Sequence, residues 1–173
     1  MKKLWILLAM CLSIAHATAK NIPILHSYTA TVTHIHDGDT IRVLDEQGQK
    51  QRIRLAYIDA PEVSPAQAHG IASRDALRQL LTRQTVRIDV WDIDRYGRQV
   101  ARVMLDNQDI NLTQIQTGNA WHYRSIARKN QHQQDYEYYQ AAENQAKSAR
   151  LGLWRKQKTV APWHFRQQNR QAK

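Results

Sequence analysis

Five stretches of the chain alternate in period two between residues that favour burial and residues that favour water. Ala30 and Val32 alternate with threonines, and Ile41 and Val43 flank Arg42. Ile53, Leu55 and Tyr57 are interleaved with Arg54, Ala56 and Ile58, Val86, Ile88 and Val90 with Arg87 and Asp89, and Ala101, Val103 and Leu105 with Arg102 and Met104. Successive side chains of a strand point to opposite faces, so this period predicts half-buried antiparallel strands. Asp37-Gly38, Gln47-Gly48 and Tyr96-Gly97 supply turns between them.

The period lengthens elsewhere. Gly70 to Arg83 places Ala72, Ala76, Leu77, Leu80 and Leu81 on one stripe. Asp109 to Thr117 stops at Gly118, and Asn130 to Ala149 aligns Tyr139, Ala142, Ala146 and Ala149, with Gly152 as the expected C-terminal cap. These segments predict three helices. One helix between the third and fourth strands, and the others after the fifth, fits an α+β fold: a five-stranded Greek-key barrel of the OB type with about three packed helices.

The two ends read differently. Lys2 and Lys3, the apolar run Leu4 to Ile14 and the small residues Ala17-Thr18-Ala19 predict a secretory signal peptide over 1–19, cut after Ala19. The run is too short for a membrane anchor, so the expectation is an exported protein, secreted or periplasmic, with no stable membrane insertion after cleavage. Residues 20–160 then form one domain, followed by a basic tail over 161–173 that Pro162 and Trp163 fold back on the body before it frays. The one cysteine, Cys11, leaves with the signal, so packing alone holds the mature chain.

Charge narrows the partners. The formal balance is +10 for the whole chain and falls to +8 once Lys2 and Lys3 are removed. Such an excess favours polyanions, whether nucleic acid, anionic lipid or acidic polysaccharide, without choosing among them.

Three short clusters carry the chemistry: Asp37-Gly38-Asp39-Thr40, Arg54-Leu55-Ala56-Tyr57-Ile58-Asp59-Ala60-Pro61-Glu62, and Asp94-Arg95-Tyr96-Gly97-Arg98. Each alone reads as a turn or a charged hairpin tip. Together they hold what phosphodiester hydrolysis needs. Carboxylates and carbonyls bind a hard cation, guanidinium groups stabilise the charge of a five-coordinate phosphorus, and a further carboxylate handles the attacking water.

In order and spacing the three clusters resemble the staphylococcal nuclease family, over about Tyr28 to Trp154, with weaker echoes at Gln116–Trp121 and Gly152-Leu153-Trp154. The resemblance implies that Asp39 and Asp59 ligate Ca²⁺ through carboxylates and Ala60 through its carbonyl. It implies Glu62 as the residue that positions or deprotonates water, and Arg54 and Arg98 as the phosphate-clamping arginines. Asp37 is not assigned as a ligand. Arg95 and Tyr96 fall where the family contacts substrate, and Tyr123 is a further substrate-binding candidate. The implied activity is a thermonuclease-type hydrolase, acting as a monomer on DNA and RNA with little sequence preference and leaving 3′-phosphates.

Rival readings fit less of the sequence. His34-Ile35-His36-Asp37-Gly38-Asp39 partly matches a zinc-hydrolase motif but lacks two of its ligands. An inert OB barrel that binds single strands would not need Asp39, Arg54, Asp59, Glu62 and Arg98 together. A membrane-surface protein would want a basic amphipathic helix, whereas the segment from Asn130 carries acids and tyrosines.

Overall fold

A computed structural model of the chain describes residues 23–172. The expected signal peptide, with Cys11, lies outside the described residues. Strand β1 (His26–Ile35) pairs antiparallel with β2 (Thr40–Asp45) on one side and with β5 (Thr85–Ile93) on the other. Strand β3 (Lys50–Leu55) continues beyond β2, and β6 (Gln99–Leu105) continues beyond β5. A parallel pairing of β3 with β6, Arg54 opposite Val100, closes the sheet on itself. The result is a closed five-stranded barrel of the expected OB type.

Alternation becomes burial over most of the barrel strands, but β3 ends at Leu55, and Ala56, Tyr57 and Ile58, expected to continue the alternation, are all buried, as is Asp89 of β5. Ile41, Val43, Ile53, Leu55, Ile88, Val90, Ala101 and Val103 are all fully buried in the barrel, and each of the larger ones contributes about 1.5–3 kcal/mol. Strand β1 buries Ala30 and Val32 and then Ile35, an odd step for a strand. A bulge between Val32 and His34 accounts for it, and β5 has a matching irregularity between Val90 and Asp92. Bulges of this kind bend strands and let a small barrel close.

Among the described residues five α-helices surround the barrel, two more than the pattern predicts. Helix α1 (Gly70–Leu81) buries Gly70, Ser73, Leu77 and Leu81. Its inward stripe therefore runs through Ser73, whose hydroxyl donates to the Asn119 carbonyl at 2.7 Å, and not through Ala72, which is exposed on the neighbouring face. Helix α2 (Ile110–Gln116) is capped by the Asp109 carboxylate, which accepts from Leu112 N–H. The short α3 (Arg124–Asn130) and the longer α4 (Gln133–Ser148) follow. Gly152 does not cap α4, which ends on Ala149. It opens a 3₁₀ turn (Gly152–Arg155) instead, packed so closely on Gly118 that a Cβ would lie 2.2 Å from its carbonyl oxygen.

The segment expected as a basic tail carries the last helix, α5 (Pro162–Gln171), with its proline in the first turn, where a missing N–H is harmless. Two short strands, β4 (Ile58–Asp59) and β8 (Trp121–His122), pair antiparallel outside the barrel and set Asp59 opposite Trp121. A further short strand, β7 (Gln108–Asp109), extends β6. Among the described residues no helix is long and apolar enough to cross a membrane.

Candidate active site

The strand pattern delivers the three charged clusters to one place. Asp39 precedes β2, Arg54 nearly ends β3, Asp59 lies on β4, and Arg98 precedes β6. All nine residues expected at the site line a single open cavity of about 480 Å³: Asp39, Arg54, Asp59, Ala60, Glu62, Arg95, Tyr96, Arg98 and Tyr123. Asp37 lines it too, and so does Arg166, which the sequence did not single out.

Arg54 is flanked by Ile53 and Leu55, whose burial inside the barrel turns its own side chain to the cavity. Its Nη1 donates to the carbonyls of Leu55 at 2.8 Å and Ile58 at 2.9 Å, and Nη2 donates to Asp59 Oδ1 at 2.9 Å. Asp39 Oδ2 stands 3.3 Å from the same Nη2. Burial works against the guanidinium charge, but Asp39, Asp59 and Asp37 outweigh it and raise the Arg54 pKa above its ordinary value.

Asp39 is held from several sides. Its Oδ1 accepts from the Thr40 hydroxyl and its Oδ2 from the Ala60 N–H at 2.6 Å. Its own N–H donates to Asp37 Oδ1 at 3.0 Å. Burial, and then the negative charge of Asp39, push the Asp37 carboxyl up to about 8. Gly38 between them has no room for a side chain, since a Cβ would lie 1.8 Å from Ser73 Oγ and 2.7 Å from Ala60 Cβ. Its carbonyl accepts from Gln114 Nε2 at 2.7 Å, which ties the turn to α2.

Arg98 is positioned by Asp94. The Asp94 Oδ1 atom accepts from the N–H groups of Tyr96 and Arg98 and shapes the turn, while Oδ2 takes Arg98 Nε and Nη2, both at 2.7 Å. Burial raises the Asp94 pKa, but these hydrogen bonds and the Arg98 charge more than offset it, and the carboxyl titrates below its ordinary range. Tyr96 is 60 % exposed, with the Arg98 guanidinium 5.5 Å and the Arg95 guanidinium 4.8 Å from its ring centre. Tyr123 is stacked on Trp163 of α5, with ring centres 5.2 Å apart and planes 5° from parallel.

Arg166, also from α5, reaches the carboxylates. Its Nη1 donates to Glu62 Oε1 at 2.7 Å and to Asp59 Oδ1 at 3.1 Å, and its Nη2 donates to Asp59 Oδ2 at 2.8 Å. Pro162 in the first turn and the spacing Trp163–Arg166 are the sequence signals that point to this helix and its inward side chains. Gln67 is a second residue the motifs missed. Its Oε1 accepts from Glu62 N–H and its Nε2 donates to the Val160 carbonyl, so it joins the Glu62 loop to the start of α5.

Asp39, Asp59 and Glu62 offer only oxygen, the donor chemistry of Ca²⁺. In that respect they fit the ion that the sequence resemblance implies. Their lone pairs are engaged by Arg54, Arg166, Thr40 and Ala60, and among the described residues no three acidic, histidine or cysteine side chains are disposed around one metal position.

A family model described as staphylococcal nuclease homologue matches residues 52–156. The chain belongs to the staphylococcal nuclease family. It is 37 % identical over 161 residues to a micrococcal nuclease of Shigella flexneri, an alignment covering 88 % of each protein. It is also 37 % identical over 142 residues to an uncharacterized endonuclease of Haemophilus influenzae, covering 82 % of this chain and 75 % of that one. A probable staphylococcal-like nuclease of Oryza sativa subsp. japonica is 33 % identical over 125 residues, which are 72 % of this chain and 31 % of the rice protein. The span matched by the family model ends before α5, so it contains neither Trp163 nor Arg166.

Proposed function

We propose that this staphylococcal nuclease family member is an exported, calcium-dependent nuclease that hydrolyses phosphodiester bonds of DNA and RNA with low sequence specificity, leaving 3′-phosphate ends. The observation that carries this reading is the convergence of Arg54, Arg98, Asp39, Asp59 and Glu62, drawn from three separate segments, on one cavity. The relatives named as micrococcal nuclease and endonuclease support the hydrolase class.

Asp39, Asp59 and the Ala60 carbonyl would hold the ion, whose role when bound is to polarise the phosphoryl oxygens. Glu62 orients or deprotonates the attacking water. Arg54 and Arg98 stay protonated and therefore act by charge, donating to the phosphate oxygens as negative charge builds on them. The pairing of Arg98 with Asp94 fixes the guanidinium beforehand, so little reorganisation accompanies the reaction. A water protonates the leaving oxygen, because neither arginine is a proton donor.

Low specificity follows from what is gripped. Phosphate contacts position a strand and carry no sequence information. Tyr96, exposed beside two guanidinium groups, offers a face on which any base can stack. A basic row on the barrel supports a polyanionic substrate. His34 lies opposite Arg42 and Arg42 opposite Arg52, and Arg52 shares a face of β3 with Arg54. Like charges directly opposite destabilise a sheet, and among the described residues no carboxylate pairs with Arg42 or Arg52.

The test is incubation of purified chain with single-stranded DNA and with RNA in Ca²⁺, followed by end-group analysis. Both polymers are expected to be cut to fragments with 3′-phosphates. Strands retained on the protein but left intact would favour the inert barrel.

A further inference from the structure

Helix α5 brings a cation of its own to the acidic residues of the site. The Arg166 guanidinium spreads over both oxygens of Asp59, and its Nη1 bridges to Glu62. A carboxylate has about four lone-pair positions. Arg54 and Arg166 take three of those on Asp59, one on Oδ2 and two on Oδ1. Asp59 therefore has one position left, and Glu62 Oε1 is already accepting.

We propose that Arg166 is a tethered substitute for the divalent cation, so that docking of α5 and binding of the ion at Asp59 exclude each other. This rests on the calcium reading of the site. A guanidinium and a divalent ion compete for the same carboxylate oxygens, and two cations held against Asp59 in addition to Arg54 would repel each other. The departure of Arg166 from Asp59 also ends its hold on Glu62, which frees that carboxylate for water.

The same helix covers a second element of the cleft. Trp163 lies parallel to Tyr123 and within 5.6 Å, centre to centre, of Trp121. While α5 is docked, one face of Tyr123 is taken by an indole and is closed to a base. Release of α5 therefore opens the ion site and the aromatic face in one motion. Docking rests on Arg166, the Trp163 contacts with Tyr123 and Trp121, the Gln67 hydrogen bond to the Val160 carbonyl, the buried Ala161 and Pro162, and the half-buried Phe165, which lines a cavity with Pro61, Trp121 and Leu153. An equilibrium between docked and released α5 is open to competition by a ligand that binds one state only.

Competition makes the apparent ion affinity smaller than the intrinsic one by the fraction of molecules with α5 released. Calorimetric titration of Ca²⁺ into the full chain and into the Arg166→Ala and Arg166→Gln variants reads this directly. Both variants are expected to bind Ca²⁺ about tenfold tighter or more, as for a wild-type helix that is released in roughly one molecule in ten. In the wild type, Ca²⁺ is expected to shift the tryptophan emission as Trp163 leaves Tyr123, and to speed tryptic cleavage within α5. Equal or weaker Ca²⁺ binding by both variants overturns the competition while leaving the calcium reading intact. Absence of Ca²⁺ binding in wild type and variants alike overturns both.

Discussion

Arg54 and Asp59 stand five residues apart and face each other across the β3–β4 turn, Arg54 Nη2 donating to Asp59 Oδ1 at 2.9 Å. One guanidinium thus binds a carboxylate, closes on two carbonyls of its own turn and still borders the cavity. A lysine could keep the charge but not this set of hydrogen bonds. Arg54→Lys, and likewise Arg98→Lys beside Asp94, are expected to lower the cleavage rate by about 10³-fold or more, since planar bidentate geometry is lost. Steady-state cleavage of single-stranded DNA measures the effect. A near-native rate in Arg98→Lys would remove that residue from charge stabilisation.

Gly38 gives a prediction about stability. A methyl group there would meet Ser73 Oγ and the Ala60 side chain well inside contact distance. Either α1 retreats or the Asp37–Asp39 turn shifts. Gly38→Ala is expected to cost about 1–3 kcal/mol in urea unfolding. It should also impair cleavage more than that loss explains, because Asp39 is carried on the turn. An unchanged unfolding midpoint would contradict the packing.

How much of this the sequence disclosed depended on how local the determinant was. Ile53 and Leu55 alternate about Arg54, and that alternation is itself the instruction to bury two side chains and expose the third. The acidic and basic clusters were legible for the same reason, since each is contained in a strand end and its turn. The phase of α1 was less so. Ala72 and Ser73 differ little in hydrophobic signal, and what buries Ser73 is its hydrogen bond to the Asn119 carbonyl, 46 residues away. Pro162 signals the helix that carries Arg166, but nothing local to that helix marks Arg166 as a site residue. It lies 107 residues beyond Asp59, in a polar stretch whose helix depends on docking against Tyr123, Asp59 and Glu62. The bulge in β1 was equally hidden, because the step from Val32 to Ile35 breaks the period that announces the strand.

His122 sets a pH dependence. It is 1 % exposed, and its Nε2 lies 2.9 Å from Gln131 Oε1. Burial lowers its pKa. Gln131 and Glu143 oppose that, and Arg124 and Lys147 add to it. With the folded pKa below the unfolded one, the unfolded chain takes up the proton first as pH falls. Stability is therefore expected to decline below about pH 6.5 and to stop declining, as far as this group is concerned, below the folded pKa. Urea unfolding between about pH 7.5 and 5.5, the range that spans the ordinary histidine pKa, should show a shallower loss in His122→Leu than in the wild type. Parallel slopes would exclude His122 as the source.

Arg42 and Arg52 extend the basic surface away from Arg54. If a strand lies along this row, Arg42→Ala/Arg52→Ala should weaken binding without changing turnover of a dinucleotide too short to reach it. The slope of log K against log salt for single-stranded DNA is expected to become shallower by roughly 1.4, because the double variant neutralises two fewer phosphates. An unchanged slope would place the strand elsewhere.

The most direct test of the whole account is digestion of plasmid DNA by purified protein in Ca²⁺, in Mg²⁺ and in chelator. Cleavage in Ca²⁺ that disappears in chelator is the expected result, with Glu62→Gln inactive in all three. Undiminished cutting in chelator, or DNA bound but uncut in Ca²⁺, would contradict it.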